Sequence, residues 1–513
     1  MPVTNNYQWT NLHENINFTV EQYHVVLNRN PNGTPPSNYI DKWNSGLNNI
    51  RAVIRSALTN HKKVRAVGGG WSLSDIQQTN GYLINTNALN MIEPGLSAAN
   101  VEAGIDGTKY CLAQCGASVM EINTQLLQSN LALSTSGASD GQSIVGAIST
   151  GTHGSSFTFG SMPDFVEGIH IVVSDILHYW VEGNNRVVSD AFINDYATGA
   201  TRINDDSILN AAIVSFGCFG VIFAVLIKAE PIYALKRCQK YFPWTTIQNY
   251  VSDPSNLGNL NLPIANPYYF SVLVNPYKLD NTVVTVMEKV GYTAQMPPTS
   301  NPTFGPSNDV LHVIGKVSSI IPGTIPTIMK WLDKLIRKQY PEYNQIISIP
   351  GFTFMDGTSV AKGKALSVEI GIDASQALIA ANIIIPLCTT IPFPGIITFR
   401  YVKKSKATLA FTKYPVTCAI EFPAPFSNAT SHFYSALYAA LDLAGIEYTL
   451  HWGQCNNLNS VNVRTKYTNA VVDSWIAARQ TILTTNQFQS LYSNDFLHRV
   501  GLDTLSAVVG PIV

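Results

Sequence analysis

Apolar positions fall into two periods along this chain. From Asn48 to Asn60, Ile50, Val53, Ile54 and Leu58 recur at helical spacing and predict an amphipathic helix. Ser118 to Leu127 repeats the pattern with Val119, Ile122, Leu126 and Leu127. Lys63–Val67, Gly81–Asn85 and Lys109–Gln114 predict short strands, as do Val166–Val173, Leu177–Val181 and Arg186–Val188. The last two are separated by Glu182-Gly183-Asn184-Asn185, a hairpin signal. Ile208 to Glu230 predicts a helix, a glycine turn over Gly217–Gly220 and a strand from Val221 to Ile227. Short strands mixed with helices, in no strict β-α-β order, predict an α+β fold.

Beyond Pro231 the strands lengthen, and a second domain is expected there. Tyr268–Val274 and Ala365–Ile370 are predicted strands, Gln295–Pro306 is a proline-rich connector, and Phe399–Val402, Thr408–Phe411 and Cys418–Phe422 predict a sheet. Ser431–Ala444 reads as a helix.

Two glycine stretches interrupt these elements. Gly137 to Ser156 is built almost wholly of Gly, Ala, Ser and Thr, around Ile144-Val145-Gly146-Ala147-Ile148 and one histidine, His153. A flexible surface linker is one reading of such composition, but it would not carry that apolar centre. The other reading is backbone that approaches a ligand: Gly137, Gly141, Gly146, Gly151 and Gly154 remove bulk, and Ser143, Thr150 and Thr152 offer hydroxyls to an anion. The strand Lys63–Val67 runs straight into Gly68-Gly69-Gly70-Trp71-Ser72, the order in which a backbone is brought up to a nucleotide phosphate.

Composition narrows the partners. Of 513 residues 46% are hydrophobic and only 13% charged, and the net charge is −1. With no long basic run, nucleic acid is excluded as a partner and a small molecule is expected. The N-terminal MPVTNNYQWTNLHEN has no basic region followed by an apolar run, so no secretory leader is expected and the expected compartment is cytoplasmic. Ala374–Phe399 is uncharged and long enough to span a bilayer, but Pro386, Pro392 and Pro394 would break such a helix, so the stretch reads as a buried helix followed by a strand. No membrane partner is expected. The seven cysteines form no CxxC pair, and most stand among apolar neighbours as small buried thiols. No metal site is expected, and nothing in the sequence bears on oligomeric state.

Taken together, these motifs resemble the vanillyl-alcohol-oxidase-type (PCMH-type) FAD-binding family, and within it the sugar-lactone and alditol oxidase branch. Gly68-Gly69-Gly70-Trp71-Ser72 resembles the family's Gly-x-Gly-His-Ser, and Ser143 to Gly154 its Ser-x-x-Gly-Ala…Thr-x-Thr-His-Gly. Gly217 to Ile222 resembles Gly-x-x-Gly-Val-Ile, and His451-Trp452-Gly453-Gln454 resembles His-Trp-Gly-Lys. The resemblance implies an FAD-binding domain over residues 1–230, a substrate-binding cap over 231–450 carrying an antiparallel sheet, and a segment 451–513 that returns to the FAD domain. It implies cofactor contacts from Gly68, Gly69, Gly70, Trp71, Ser72, Gly137, Ser143, Gly146, Thr150, Gly151, Thr152, His153, Gly154 and Ile222. Tyr492–Leu502 would close the site.

The departures are as informative. Trp71 stands where many relatives carry a flavin-linked His, so the resemblance implies non-covalent FAD. Alditol-oxidising relatives carry Glu-x-Arg where this chain has Thr398-Phe399-Arg400, a His at the position of Glu421, and a Lys at that of Gln454. The implied reaction is hydride transfer from a substrate CH–OH group to flavin, with oxygen or another acceptor taking the electrons. Arg400, Glu421, His451 and Gln454 are the candidate catalytic residues, with Glu421 or His451 as base. Small alcohols, polyols and sugar lactones are the substrates the resemblance suggests. A tailoring enzyme for a larger natural product, marked by a wide apolar cavity, is the alternative enzyme; a binding protein on a degenerate family fold is the alternative outside enzymes.

Overall fold

The computed structural model describes residues 2–293, 321–348 and 364–503. The chain begins with a hairpin, Val3–Thr10 against Asn17–Val25, and extends it by parallel pairing to Tyr82–Asn85 and then Val64–Val67. The crossover is the helix Tyr39–Thr59, capped where the Asn38 side chain accepts from the Asp41 N–H. It starts nearer the N-terminus than the apolar spacing predicts. Trp43 and Leu47 extend the buried face through a polar opening turn.

A second sheet runs in the order Thr201–Asn204, His178–Glu182, Val166–Val172, Val221–Lys228, Tyr110–Gln114, Ile92–Pro94. Val221–Ile227, buried at every position, is its centre, as a strand covered on both faces must be. The hairpin expected after Val181 does not form. The N–H groups of Val187 and Val188 bond to the buried Glu182 carboxylate at 3.0 and 3.1 Å, and Val188 forms an isolated antiparallel bridge with Val101 instead of pairing with the strand before it.

The third sheet has eight strands in the order Tyr343–Ser348, Tyr233–Phe242, Thr282–Gly291, Tyr269–Val274, Ile397–Lys403, Val416–Glu421, Glu369–Asp373, Thr449–Leu450. All its neighbours are antiparallel. Alternation along Ile397–Lys403 buries Ile397, Phe399 and Tyr401 on one face and leaves Thr398 and Arg400 on the other. The expected strand Ala365–Ile370 is split into Ala365–Leu366 and Glu369–Asp373. Thr408–Phe411 is not a strand: Thr408 N–H bonds Asn210 and the Leu409 carbonyl accepts from the Trp452 indole. The uncharged stretch from Ala374 folds as expected into a buried helix, Ala377–Thr390, which carries Pro386 and ends before Pro392, followed by the strand Ile397–Lys403. Gln295–Pro306 lies outside the described residues.

The chain beyond Leu450 folds back on the N-terminal part. Trp475, fully buried on the helix Asn469–Ile482, donates to the carbonyls of Ala211 and Val214 at 3.0 and 3.1 Å. Trp452 stacks on Tyr467 and touches Phe216 at 4.3 Å between ring centres. Substituting Trp475→Phe keeps most of the ring and leaves two buried carbonyls without their donor. Chemical denaturation should show a loss of about 1–3 kcal/mol.

Candidate active site and cofactor cavity

A cavity of about 1040 Å³ runs between the glycine turns and the third sheet. Of the residues that the resemblance implies as cofactor contacts, Gly68, Gly69, Gly70, Trp71, Ser72, Ser143, Gly146, Thr150, Thr152, His153 and Ile222 line it. Gly137, Gly151 and Gly154 do not. Their role is to shape the loop: a Cβ on Gly154 would meet Thr135 Oγ1 at 2.6 Å, and one on Gly137 would meet Thr152 Cγ2 at 2.9 Å. Tyr492–Leu502 does not border the cavity either. It packs behind it, the Tyr492 hydroxyl on the Val173 carbonyl at 2.8 Å.

The turn Gly68–Ser72 is fixed from two sides. Gly70 adopts φ +68°, and a Cβ on Gly68 would overlap the Ser143 hydroxyl, so the two glycine stretches are packed backbone to side chain. On the far side Leu73 N–H bonds the Gly453 carbonyl at 2.8 Å and Ser74 Oγ donates to that of Trp452 at 2.7 Å. The motif His451–Gln454 is thereby held against the first glycine turn. Ser155, two residues after His153, accepts from Tyr401 N–H at 2.9 Å and donates to Phe270, tying the second glycine stretch to two strands of the third sheet.

The expected catalytic residues Arg400, Glu421, His451 and Gln454 all line the cavity, joined by Glu369, which sequence reasoning missed. Glu369 and Glu421 are cross-strand partners, and Thr398 partners Glu421 on the other side. Arg400 Nη2 donates to Glu369 Oε1 at 2.7 Å and Glu421 Oε2 at 2.6 Å. Glu421 Oε1 also accepts from Ser367 at 3.0 Å and Gln454 at 3.2 Å. Burial alone would raise Glu369, but Arg400 and His153 outweigh it and hold the carboxyl well below its usual range. Burial prevails at Glu421, aided by the Glu369 charge, and moves it up against the pull of Arg400. The lone acid in Ser367-Val368-Glu369-Ile370 carried the same signal as Glu421, a carboxylate among apolar strand residues.

The two histidines differ. His153 faces the Gly154 carbonyl with Nδ1 at 2.8 Å and Glu369 with Nε2 at 3.1 Å, two acceptors. His451 Nδ1 instead accepts the Gly453 N–H at 3.0 Å, which puts the proton of the neutral ring on Nε2. Burial pushes its pKa down to about 4. Ligand atoms of His153, Glu369 and His451 lie within 4.8 Å of one another, but Arg400 already shares the carboxylate between them. The arrangement is a hydrogen-bond network. The cysteines stand apart from it: six of the seven are buried and all are free thiols.

The lining also suits an anionic, hydrogen-bonding ligand. Arg65 lies buried in the cavity wall; it donates to the carbonyls of Gly217 at 3.1 Å and Ile76 at 2.6 Å, and its Nε has no partner among the described residues. Gln77 Nε2, Gln142 Oε1, Thr398 Oγ1 and Gln454 Oε1 belong to residues that line the same cavity, and these buried atoms have no partner among the described residues. Such atoms are satisfied by a bound group or by ordered water.

Residues 47–175 match the FAD binding domain family. D-arabinono-1,4-lactone oxidase of Candida albicans is 27% identical over 207 residues, 39% of this chain and 33% of that protein. L-gulonolactone oxidase of Mus musculus is 26% identical over 255 residues, 49% and 48% of the two chains. L-gulono-1,4-lactone dehydrogenase of Mycobacterium tuberculosis is 29% identical over 185 residues, 36% of each. The matches thus span between a third and a half of these relatives. The crystal structure of cholesterol oxidase from B. sterolicum superposes with a TM-score of 0.71, covering 97% of both chains at 14% identity, which shows a common fold. These findings bear out the resemblance to the vanillyl-alcohol-oxidase-type FAD-binding family, and FAD is the cofactor of such a domain.

Glu369→Gln removes one of the two charges that balance Arg400. We expect a loss of about 3 kcal/mol by chemical denaturation at neutral pH. Because the folded pKa of Glu369 is depressed, its contribution is present above the unfolded carboxylate pKa and is lost as pH falls toward the folded one. The deficit of the variant should therefore shrink in acid.

Proposed function

We propose that this protein is an FAD-dependent oxidoreductase that oxidises a CH–OH group. The observation that carries the reading is the juxtaposition of the family's glycine cradle with the buried Glu369–Arg400–Glu421 cluster in one cavity. Bound FAD supplies a hydride acceptor and passes the electrons on to oxygen or another acceptor. Backbone groups of Gly68–Ser72 and the Ser143–His153 loop would hold the cofactor. Trp71 in place of the family's His supports non-covalent binding, since an indole does not form that link.

Arg400 is a fixed cation, clamped through Nη2 by two carboxylates, and is suited to hold the substrate oxygen. Glu421, raised by burial, is the better of the two candidate bases. His451 carries its proton on Nε2 and is suited to donate a hydrogen bond. Gln454 brings no charge where relatives carry a Lys.

The cap wall favours the larger-substrate reading. Leu273, Val283, Met329, Leu332, Ile336 and Ile396 line this part of the cavity, with Tyr269, Ser271, Thr285, Lys338 and Tyr340 as polar groups among them. A polyol or lactone would leave its hydroxyls unpaired against such a surface. The named relatives are lactone enzymes, but the family match stops at residue 175, before every residue of this wall. The substrate is therefore an alcohol with a bulky apolar body.

Anaerobic mixing of the flavin-loaded protein with two alcohol series tests this. Apolar-bodied alcohols should bleach the flavin at least about ten-fold more efficiently than polyols or lactones, given about 1–3 kcal/mol per buried methylene; the reverse order contradicts the substrate class. Glu421→Gln should slow reduction by about 10²-fold or more. The wild type should also lose activity as pH falls through the raised Glu421 pKa, and the variant should lack that limb.

A further inference from the structure

The helix Ile325–Gln339 forms one lip of the cavity, which Met329, Leu332, Leu335 and Lys338 line. Its packed arc is narrow: Ile325, Met329, Asp333 and Ile336 are buried at spacings that gather them on one face. Outside that arc the helix is not an ordinary mixed surface. Trp331 and Leu335, one turn apart, are 63% and 40% exposed. Lys330, Lys334 and Lys338 recur at every fourth position along the neighbouring ridge.

Nothing on the helix neutralises that ridge. Asp333, its one acid, is turned inward to Asn281 at 2.6 Å and Arg337 at 3.4 Å. Arg337 itself lies over the Tyr241 ring at 4.6 Å. Among the described residues none of the three lysines has an ion-pair partner. Like charges at this spacing repel, and an indole held in water forgoes burial. A surface that is apolar inside and anionic at its boundary relieves both. Two more exposed apolar side chains flank this region: Ile321 just ahead of the helix, and Phe426, three residues before the Ala429 that packs with Ile325 and Met329.

We propose that the outer face of Ile325–Gln339 docks on an anionic lipid bilayer, with Trp331 and Leu335 in the acyl boundary and Lys330, Lys334 and Lys338 against the headgroups. Among the described residues no helix is long and apolar enough to cross a membrane, so the contact is peripheral. The expectation of no membrane partner rested on the lack of an unbroken apolar span and does not address a surface contact. Docking would set the cavity mouth where an apolar-bodied alcohol partitions. That consequence rests on the proposed substrate; the docking does not.

The flavin-loaded full chain would be sedimented with vesicles of phosphatidylcholine alone and of phosphatidylcholine mixed equally with phosphatidylserine. It should pellet with the mixed vesicles, about ten-fold or more weakly with the neutral ones, and less as salt rises. Of the eight tryptophans Trp331 alone is largely exposed, so brominated acyl chains should quench emission in the wild type and not in Trp331→Phe. Lys330→Glu with Lys334→Glu should weaken binding about ten-fold or more. Both sites are exposed and outside the cavity lining, so melting temperature and flavin content should stay unchanged. A chain that remains in the supernatant with mixed vesicles, or charge-reversed protein that binds like wild type, overturns the proposal. Neither result bears on flavin reduction by alcohols.

Discussion

Two carboxylates stand side by side on neighbouring strands in the interior of this protein, and one guanidinium makes that possible. Glu369 and Glu421 are directly opposed in the sheet register, an arrangement that repels unless a cation is shared. Arg400, from the adjoining strand, contacts both through the same nitrogen. The cost of burying three charges is offset only while all three remain in place. Rigidity at the centre of the site follows from that condition.

The surrounding elements are arranged to keep the cluster in register with the glycine turns. His153 reaches Glu369 from the second glycine stretch, and Gln454 reaches Glu421 from the C-terminal motif. The His451 N–H is fixed on the Glu369 carbonyl at 3.0 Å, so one residue positions both the side-chain network and the returning chain. Segments far apart in sequence therefore meet at one charge cluster, and the glycine turns and the third sheet cannot shift independently without straining it. Under the proposed function this coupling would hold a donor carbon against the flavin, where displacements of about 1 Å can cost about 10²-fold in rate.

Much of this was legible beforehand. Strand-then-glycine at Val64–Gly70 and the apolar run Val221–Ile227 are local signals, and both elements form where the pattern places them. The misses have non-local causes. Arg186–Val188 has strand composition, but Glu182 satisfies its N–H groups from a side chain. Thr408–Phe411 is buried by packing, with the Trp452 indole bonded to its backbone. Glu369 shows the same limit in the site: family motifs led to Glu421 by position along the chain, whereas the partner of Glu421 is set by strand register, which motif spacing does not encode. Conversely, Gly137, Gly151 and Gly154, expected from the resemblance at the cofactor, shape the loop without bordering the cavity.

The central claim is that this cavity carries a redox flavin. The most direct measurement is the visible absorbance of the purified protein before and after acid precipitation. The account predicts flavin bands that pass wholly into the supernatant, as non-covalent FAD requires. A colourless protein that takes up no added FAD would contradict it and leave a binding protein on a flavoenzyme fold.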